Sequence, residues 1–363
     1  MMFSVDDKIL VYPVDRESLP VIKGTGNYPH IRLCHLVSPE SWGYEGECYK
    51  CAEGMVETSC DYEHELEDCS AIWIVDSWND LDFKRFIEPA IRLASEKGKR
   101  IICSRDLSAE EKLLLSNVEV TCIEYSSFTP TIGRDARVQE IRTPVVYVMS
   151  STECCNQFFI ETALCAELRR RDYGTLLISS QKEGVVFGGY TIPDFMFHGE
   201  YDENEKVLAL NHYIRHLEAK HQPEVIVIGI PGVAMPYHYQ YSSDFGILAF
   251  EISEAVKPDF SVLSSPCMSY NTDFFKGIEK SLCNRLGVVI DIHSLSPYAL
   301  DCFNEPSFEK CLGYLSVDNL YVQEMIKRIE YDNLFDLNSM DGVAFAIDRL
   351  IDKLSGGVGS LII

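Results

Sequence analysis

Residues 150–157 have a spacing close to that of a phosphate-binding loop. They read Ser150-Ser151-Thr152-Glu153-Cys154-Cys155-Asn156-Gln157 and follow an apolar run, Val145 to Met149. That run predicts a buried strand. The amphipathic segment Phe158 to Arg171 predicts a helix, and Leu176 to Ser179 predicts a second strand, so a βαβ unit of a parallel sheet is expected. A loop that binds phosphate in this place is rich in glycine and ends in Gly-Lys-Ser/Thr, because backbone N–H groups and the lysine contact phosphate oxygens.

This loop lacks those groups. Residues 150–157 include no glycine and no lysine, and Glu153 adds a negative charge. Two unit charges about 4 Å apart interact by roughly 1 to 4 kcal/mol at dielectrics between 80 and 20, so a triphosphate is expected to bind weakly. The predicted strand 225–228 also ends in Gly229-Ile230-Pro231-Gly232, without the carboxylate that orders Mg²⁺ in nucleotide hydrolases. We expect no bound cofactor and no hydrolysis. ATP with Mg²⁺ is the alternative, and it would need a cation from elsewhere in the chain.

The loop resembles the G-T-x-x-x-x-G-K pattern of dethiobiotin-synthetase-like P-loop proteins. Ser150 stands at the first glycine, Ser151 at the threonine, Asn156 at the second glycine and Gln157 at the lysine. The resemblance implies a degenerate P-loop on a P-loop-NTPase-like parallel sheet. It also implies the alternative function of an ATP-dependent ligase or kinase-like enzyme that acts on a carboxylate.

Cysteines form a second candidate site. Cys48 and Cys51 make a C-x-x-C pair, and Cys60 and Cys69 follow at equal steps, with Cys34 nearby. Four thiolates hold Zn²⁺ or an iron–sulfur cluster in many proteins, so a cysteine-rich metal or redox protein is a second alternative. Ordinary cytosolic thiols explain the same residues. Cys154 and Cys155 lie at a predicted helix N-terminus, which lowers the pKa of a thiol.

Several polar residues lie near predicted strand ends, where open α/β sheets place their ligands. The candidates for such a cleft are His198, Tyr237, His238, Asp244 and His293. Asp291 and His293, together with Asp244, have the residue types of an acid–base pair. The segment 235–241 is rich in aromatic side chains with polar tips, a composition suited to gripping a peptide.

Predicted strands alternate with helices along the whole chain. At 363 residues the length fits two domains, and the alternation predicts two doubly wound, Rossmann-like α/β domains. Residues 1–128 are predicted to form a Rossmann- or flavodoxin-like domain, residues 129–142 a linker and residues 143–363 the degenerate P-loop domain.

Charge and hydropathy restrict the partners. With 56 acidic and 32 basic residues the net charge is −24, which repels a phosphate backbone, so nucleic acid is not expected as a partner. No apolar run is long enough to cross a bilayer and no secretion signal opens the chain, so we expect a cytoplasmic protein that does not bind membranes. A homodimer is the default expectation for its oligomeric state.

The whole chain also resembles a narrower group, the peptide maturation system proteins encoded beside bacteriocin-like precursor peptides and radical-SAM maturases. The residues that carry the resemblance are KILVYPVDRESLPVI (8–22), LVSPESWGYEG (36–46) and the run 71–103, followed by the degenerate loop. The resemblance implies an accessory role in making a modified peptide, with a precursor peptide or a radical-SAM maturase as the partner. It implies no particular reaction.

Overall fold

A computed structural model describes residues 2–77, 81–129, 136–199, 201–237, 243–301 and 313–358. The chain divides into two compact units: the first is Met1–Glu124 with Val185–Gly188, and the second is Tyr125–Gly184 with Gly189–Ile363. Each unit is built on one mostly parallel sheet with helices, so the predicted fold class is confirmed.

In the described part of the first unit, seven strands pair in the order β3-β4-β2-β1-β5-β6-β7. The strands are β1 (Ile9–Tyr12), β2 (Leu33–Val37), β3 (Cys48–Cys51), β4 (Gly54–Ser59), β5 (Ala71–Ile74), β6 (Arg100–Cys103) and β7 (Thr121–Cys122). The helices are α1 (Leu19–Thr25), α2 (Tyr62–Glu65), α3 (Glu88–Glu96), which a π-helical turn Phe83–Ile87 precedes, and α4 (Ala109–Leu114). Every residue of β1 and β5 is buried, as expected for inner parallel strands covered on both faces.

The cysteine-bearing stretch of the first unit contains a hairpin that the sequence did not predict. Strands β3 and β4 pair antiparallel, from Cys48 opposite Glu57 to Cys51 opposite Gly54. Gly54 has φ 138°, a backbone conformation that side chains rarely allow, and this residue makes the tight turn possible. The hairpin extends the sheet beyond β2.

The sheet of the second unit has, within the described residues, seven strands in the order β10-β9-β11-β8-β12-β13-β16, and every pairing is parallel. The strands of this unit are β8 (Val145–Ser150), β9 (Thr175–Ser179), β10 (Tyr190–Thr191), β11 (Val225–Gly229), β12 (Phe260–Ser265), β13 (Ile292–Leu295) and β16 (Leu334–Phe335), with β14 (Tyr298–Leu300) and β15 (Tyr314–Ser316) in a separate antiparallel pair. The helices are α5 (Gln157–Arg170), α6 (Glu203–His221), α7 (Ile247–Ala255), α8 (Thr272–Leu286), α9 (Asn319–Ile329) and α10 (Met340–Val358), and short 3₁₀ turns lie at Lys182–Val185, Asp194–Met196 and Ser243–Gly246. None of the described helices is both long enough and apolar enough to cross a membrane.

The alternating side chains of the central strands pack on two faces. Val145, Tyr147 and Met149 of β8 join one apolar cluster with residues of α6, α7 and α8. Residues of the opposite parity, such as Gly229 of β11, face α5. The loop after β8 therefore lies at the carboxyl end of the parallel strands, with α5 on one face of the sheet and α8 on the other.

One predicted strand is shifted. The apolar run Val288 to Ile292 predicts a strand, but β13 begins only at Ile292. Val288 and Ile290 are buried in the cluster that includes residues of α8, and both the backbone and the carboxylate of Asp291 bond to Ser261. Packing against a neighbouring helix thus accounts for the apolar pattern that predicted a strand there.

Candidate functional site

The loop after β8 is held by hydrogen bonds to its own protein. Ser150 Oγ donates to the carbonyl of Gly232 at 2.9 Å, and the Ser151 N–H donates to the carbonyl of Ser264 at 2.9 Å. Asn156 caps α5 in a left-handed conformation, φ 57°, and its side-chain amide donates to Asn338 Oδ1 at 2.9 Å. The loop is therefore tied to β12, to the segment after β11 and to the turn before α10.

Gln157, which stands where the resembled motif has its lysine, also bonds inward. Its Nε2 donates to the carbonyl of Ile230 at 2.6 Å, just beyond the end of β11. A lysine of a phosphate loop would direct its cation to the ligand. In this chain the corresponding side chain is neutral and already engaged with the backbone.

A buried carboxyl lies one helical turn further along α5. Glu161 is fully buried, and Ser179 Oγ and the Ser180 N–H donate to its carboxyl oxygens, the latter at 3.2 and 3.3 Å. Burial raises the pKa of Glu161 to about 8, although the hydrogen bonds from Ser179 and Ser180 lower it in part. The carboxyl is therefore mainly protonated at neutral pH. Because Gln157 and Glu161 are four residues apart, both side chains contact the end of β11 from the same face of α5.

The Glu161 carboxyl occupies the space that a side chain at Gly229 of β11 would need. A Cβ placed on Gly229 would lie 1.5 Å from Glu161 Oε2, so only glycine lets β11 and the carboxyl share this space. Sequence reasoning found no carboxylate at the end of β11 and missed that α5 supplies one from the side. The available signal was a glutamate surrounded by apolar residues, FFIETALCAEL, in a helix buried on all sides.

The outer part of the loop carries unfavourable charge for an anion. Burial, and next the nearby Asp244, raise the pKa of the Glu153 carboxyl. A cation beside Glu153 would have lowered its pKa instead. Asp244 is thus placed next to the loop, as one of the predicted cleft residues, but it adds negative charge there.

Cys155 is not an activated thiol. It is buried, and burial raises the pKa of its thiol to about 11 although Thr152 Oγ1 lies 3.1 Å from its sulfur. The expected effect of the helix N-terminus is outweighed by the loss of solvation.

A groove opens on the other side of the loop. We call it the α8 groove: a cavity of about 490 Å³ between the end of β8, residues 235–237 and one face of α8. Its lining includes Ser151, Met235, Tyr237, Asp273, Phe274 and Ile278. The Ser151 hydroxyl is buried and finds no hydrogen-bond partner among the atoms that the structure describes. Of the predicted cleft residues, Tyr237 lies in this groove.

The other predicted residues lie elsewhere. His293 is fully buried in β13, and its Nε2 lies 2.9 Å from Glu279 Oε1, which also accepts a hydrogen bond from the Tyr331 hydroxyl at 2.8 Å. The predicted grouping of Asp291 and His293 with Asp244 is not what these side chains contact: His293 is paired with Glu279 of α8, and the Asp291 carboxylate accepts from the Ser261 N–H and Lys353 Nζ. His198 is an exposed residue after the turn Asp194–Met196. His238 lies outside the described residues.

The cysteines proposed as a metal site, Cys48, Cys51, Cys60 and Cys69, are not gathered into one cluster in the described part of the chain. Cys48 is exposed and Cys51 is buried, at the two ends of β3. Burial raises the pKa of Cys51 and of Cys69 to about 11, which disfavours the thiolates that a metal needs, and Cys60 is only partly exposed. In the described ranges, no group of three or more His, Cys, Asp or Glu side chains is arranged to hold a metal ion.

The fold and the loop together define a class: an α/β protein of two parallel-sheet units, Rossmann-like and P-loop-like. No protein-family model matches the chain, and no curated protein matches it. Among solved structures, a duf1611 family protein from Anabaena variabilis is similar over 95% of this chain and 100% of its own, with 11% sequence identity and a TM-score of 0.60. At that identity the likeness shows a shared fold.

Two nucleotide-bound structures are similar over part of the chain. A nucleotide-binding protein from Archaeoglobus fulgidus, in complex with ADP, shares 13% identity over 56% of this chain and 86% of its own, with a TM-score of 0.30. Cobyrinic acid a,c-diamide synthase from Mycobacterium smegmatis, with bound ADP and magnesium, shares 9% identity over 59% of this chain and 96% of its own, with a TM-score of 0.34. At these scores the likeness carries no argument about chemistry.

Proposed function

We propose that this chain is a cytoplasmic accessory protein of peptide natural-product maturation that binds a precursor peptide or its maturase without hydrolysing nucleotide. The observation that carries the non-hydrolysing part is the hydrogen bond from Gln157 Nε2 to the carbonyl of Ile230, 2.6 Å long. It takes the place in which a phosphate loop presents its cation. The peptide part is supported by the resemblance of residues 8–22, 36–46 and 71–103 to peptide maturation system proteins.

Charge supports a partner that is not an anion. The chain carries a net charge of −24, and Asp244 lies near enough to Glu153 of the loop to raise the pKa of its carboxyl. A nucleoside triphosphate carries several negative charges and would be repelled by these carboxylates, whereas a neutral or basic peptide would not be repelled. The protein is proposed to hold its partner by shape and by charge, and to leave the covalent chemistry to the maturase.

The first experiment is a calorimetric titration of ATP with Mg²⁺ into the purified protein and into the variant Gln157→Lys. We expect no binding heat from the native protein at millimolar ATP. A parallel titration uses a synthetic precursor peptide encoded beside the gene, and there we expect saturable binding by both proteins. Gln157→Met serves as the control, because it removes the hydrogen bond without adding a cation.

ATP binding by the native protein in the micromolar range would overturn the non-hydrolysing role. The working function would then be an ATP-dependent ligase or kinase-like enzyme acting on a carboxylate, which the P-loop-like sheet favours. Failure of every peptide and maturase encoded nearby to bind would overturn the accessory role itself.

A further inference from the structure

The α8 groove has space and an apolar lining on one helix face. Phe274 and Ile278 are four residues apart on α8 and face the groove with Met235 from the opposite wall. Gly277 lies between them on the same face, and a Cβ placed there would meet no atom within 4 Å. The missing side chain at Gly277 therefore leaves room for a large apolar group of a ligand.

The start of α7 lies against the wall of the groove and carries exposed apolar side chains. The segment before α7 packs on the groove wall, because a Cβ on Gly246 would lie 2.7 Å from the Ala234 carbonyl and 3.1 Å from Met235 Cα. Arg285, two helical turns after Ile278, donates a hydrogen bond to the Phe245 carbonyl and fixes this segment against α8. Three large apolar side chains near the start of α7 are exposed: Phe245, in the turn before the helix, by 55%, Ile247 by 47% and Phe250 by 45%. Exposed apolar side chains this close together in the chain are candidates for contact with a partner.

Two polar residues of the groove, Asp273 and Ser151, indicate which groups of a ligand would bind there. Asp273, in the first turn of α8, is exposed and lines the groove beside Phe274. It is the charged residue of the described lining, whereas Lys276 and Lys280 of the same helix are exposed outside the lining, so the mouth favours a cation. At the inner end, the buried Ser151 hydroxyl lacks a partner among the described atoms and can bond a peptide carbonyl or amide.

We propose that the α8 groove binds a peptide segment in which a large apolar side chain is next to a lysine or arginine. The apolar side chain lies over Gly277, between Phe274, Ile278 and Met235, and the basic side chain pairs with Asp273. Apolar residues further along the peptide cover Phe245, Ile247 and Phe250. This inference rests on the proposed function for its ligand class, a peptide, and adds where and by what chemistry the peptide is recognised.

The test uses fluorescein-labelled peptides of about twelve residues, mainly Gly and Ser, with a central Leu-Phe-Lys, Leu-Phe-Glu or Leu-Ala-Lys. Fluorescence anisotropy measures their dissociation constants. We expect the Leu-Phe-Lys peptide to bind at least tenfold more tightly than either of the others. Its affinity should fall as salt is raised, because the pair with Asp273 is near the surface.

Two variants of Gly277 locate the site. Gly277→Phe places a ring in the groove from a position where a Cβ meets no neighbouring atom within 4 Å, and it is expected to weaken the Leu-Phe-Lys peptide at least tenfold. Gly277→Ala is the matched control, which strengthens the helix but leaves the space, so its affinity is expected to remain within twofold of the native value. Thermal melting of both variants shows that the fold is kept.

Reversing the charge of residue 273 tests the proposed ion pair without filling the groove. Asp273→Lys is expected to reverse the preference, so that the Leu-Phe-Glu peptide binds more tightly than the Leu-Phe-Lys peptide. An unchanged preference in this variant, or equal binding by Gly277→Phe and native protein, would overturn the inference. Displacement of the labelled peptide by ATP, or a native dimer that Gly277→Phe dissociates, would also overturn it by showing another occupant.

The two proposals fail separately. If the encoded precursor binds but Gly277→Phe and Asp273→Lys leave its affinity unchanged, the accessory function stands and the groove is not its site. If the model peptides behave as expected but no encoded precursor or maturase binds, the groove chemistry stands and the role in maturation is wrong.

Discussion

The buried carboxyl of Glu161 makes the stability of this protein depend on pH in an unusual direction. Its pKa is about 8 in the folded protein, against an ordinary value of 4.5. A carboxyl with a raised folded pKa gives its full contribution to stability below the unfolded pKa and loses it as the pH rises through the folded pKa. Between about pH 4.5 and pH 8 the unfolded chain releases this proton while the folded chain keeps it.

The size of the effect follows from the shift. Each pH unit in that window costs about 1.4 kcal/mol, so at pH 7 the free energy of unfolding is about 3 kcal/mol lower than it would be for a group that stays neutral. Glu161→Gln is such a group, and its carbonyl oxygen can still accept from Ser179 Oγ and the Ser180 N–H. We expect the stability of the variant relative to the native protein to rise by about 3 kcal/mol between pH 4.5 and pH 7.

The assay is urea unfolding of both proteins, followed by circular dichroism, at pH 5, 6, 7 and 8. The quantity compared is the difference in free energy of unfolding between Glu161→Gln and native protein, followed as a function of pH. A cost of the amide that does not depend on pH leaves the slope of this difference unchanged. Glu167→Gln on the same helix is a control of opposite sign: hydrogen bonding to Arg170 lowers the pKa of Glu167, so this variant loses stability at neutral pH and recovers relative to native as the pH falls. A difference between Glu161→Gln and native protein that stays constant from pH 5 to pH 8 would refute the argument.

Two further predictions concern the neighbourhood of the loop and the thiols. Gly229→Ala should lower the free energy of unfolding by about 3 kcal/mol, since its methyl group would overlap Glu161 Oε2. In the double variant with Glu161→Ala part of the cost of the alanine at 229 should disappear, because the overlap with the carboxyl is removed while the approach of the new Cβ to the Ser180 backbone nitrogen, 2.7 Å, remains. Fully additive losses in thermal melting would contradict the proposed contact. With limiting iodoacetamide at pH 8, peptide mass spectrometry should find the exposed Cys48 labelled well before Cys155, because Cys155 is buried and its pKa is about 11. Equal labelling rates would show that the loop opens faster than the reagent reacts.

Local sequence patterns predicted most of the second unit's elements. The helix expected at 158–171 is Gln157–Arg170, and α8 ends at Leu286 directly before Gly287, whose φ of 67° is that of a glycine cap. Periodicity and glycine caps are properties of a few neighbouring residues, so they can be found without the fold. The degenerate character of residues 150–157 is of the same kind, since it depends on which side chains the loop contains.

The partners of individual side chains could not be predicted in this way. The sequence grouped His293 with Asp291 and Asp244 as a possible acid–base pair, but its Nε2 contacts Glu279 on α8, fourteen residues earlier. The hairpin of β3 and β4 was also missed, because its strands are short, polar and mostly exposed and so lack an apolar alternation.

The amino-acid sequence by itself determined two α/β sheets, the place of the loop after β8 and the absence from that loop of the residues that bind phosphate. These follow from composition and from spacings of a few residues. Only the tertiary structure decided that Glu161 lies against Gly229, 68 positions later in the sequence, and that Ser151, Met235 and Gly277 border one groove. The reason is physical: parallel strands bring the ends of distant segments to one edge of a sheet, and which side chains meet there depends on packing across helices that no local pattern encodes.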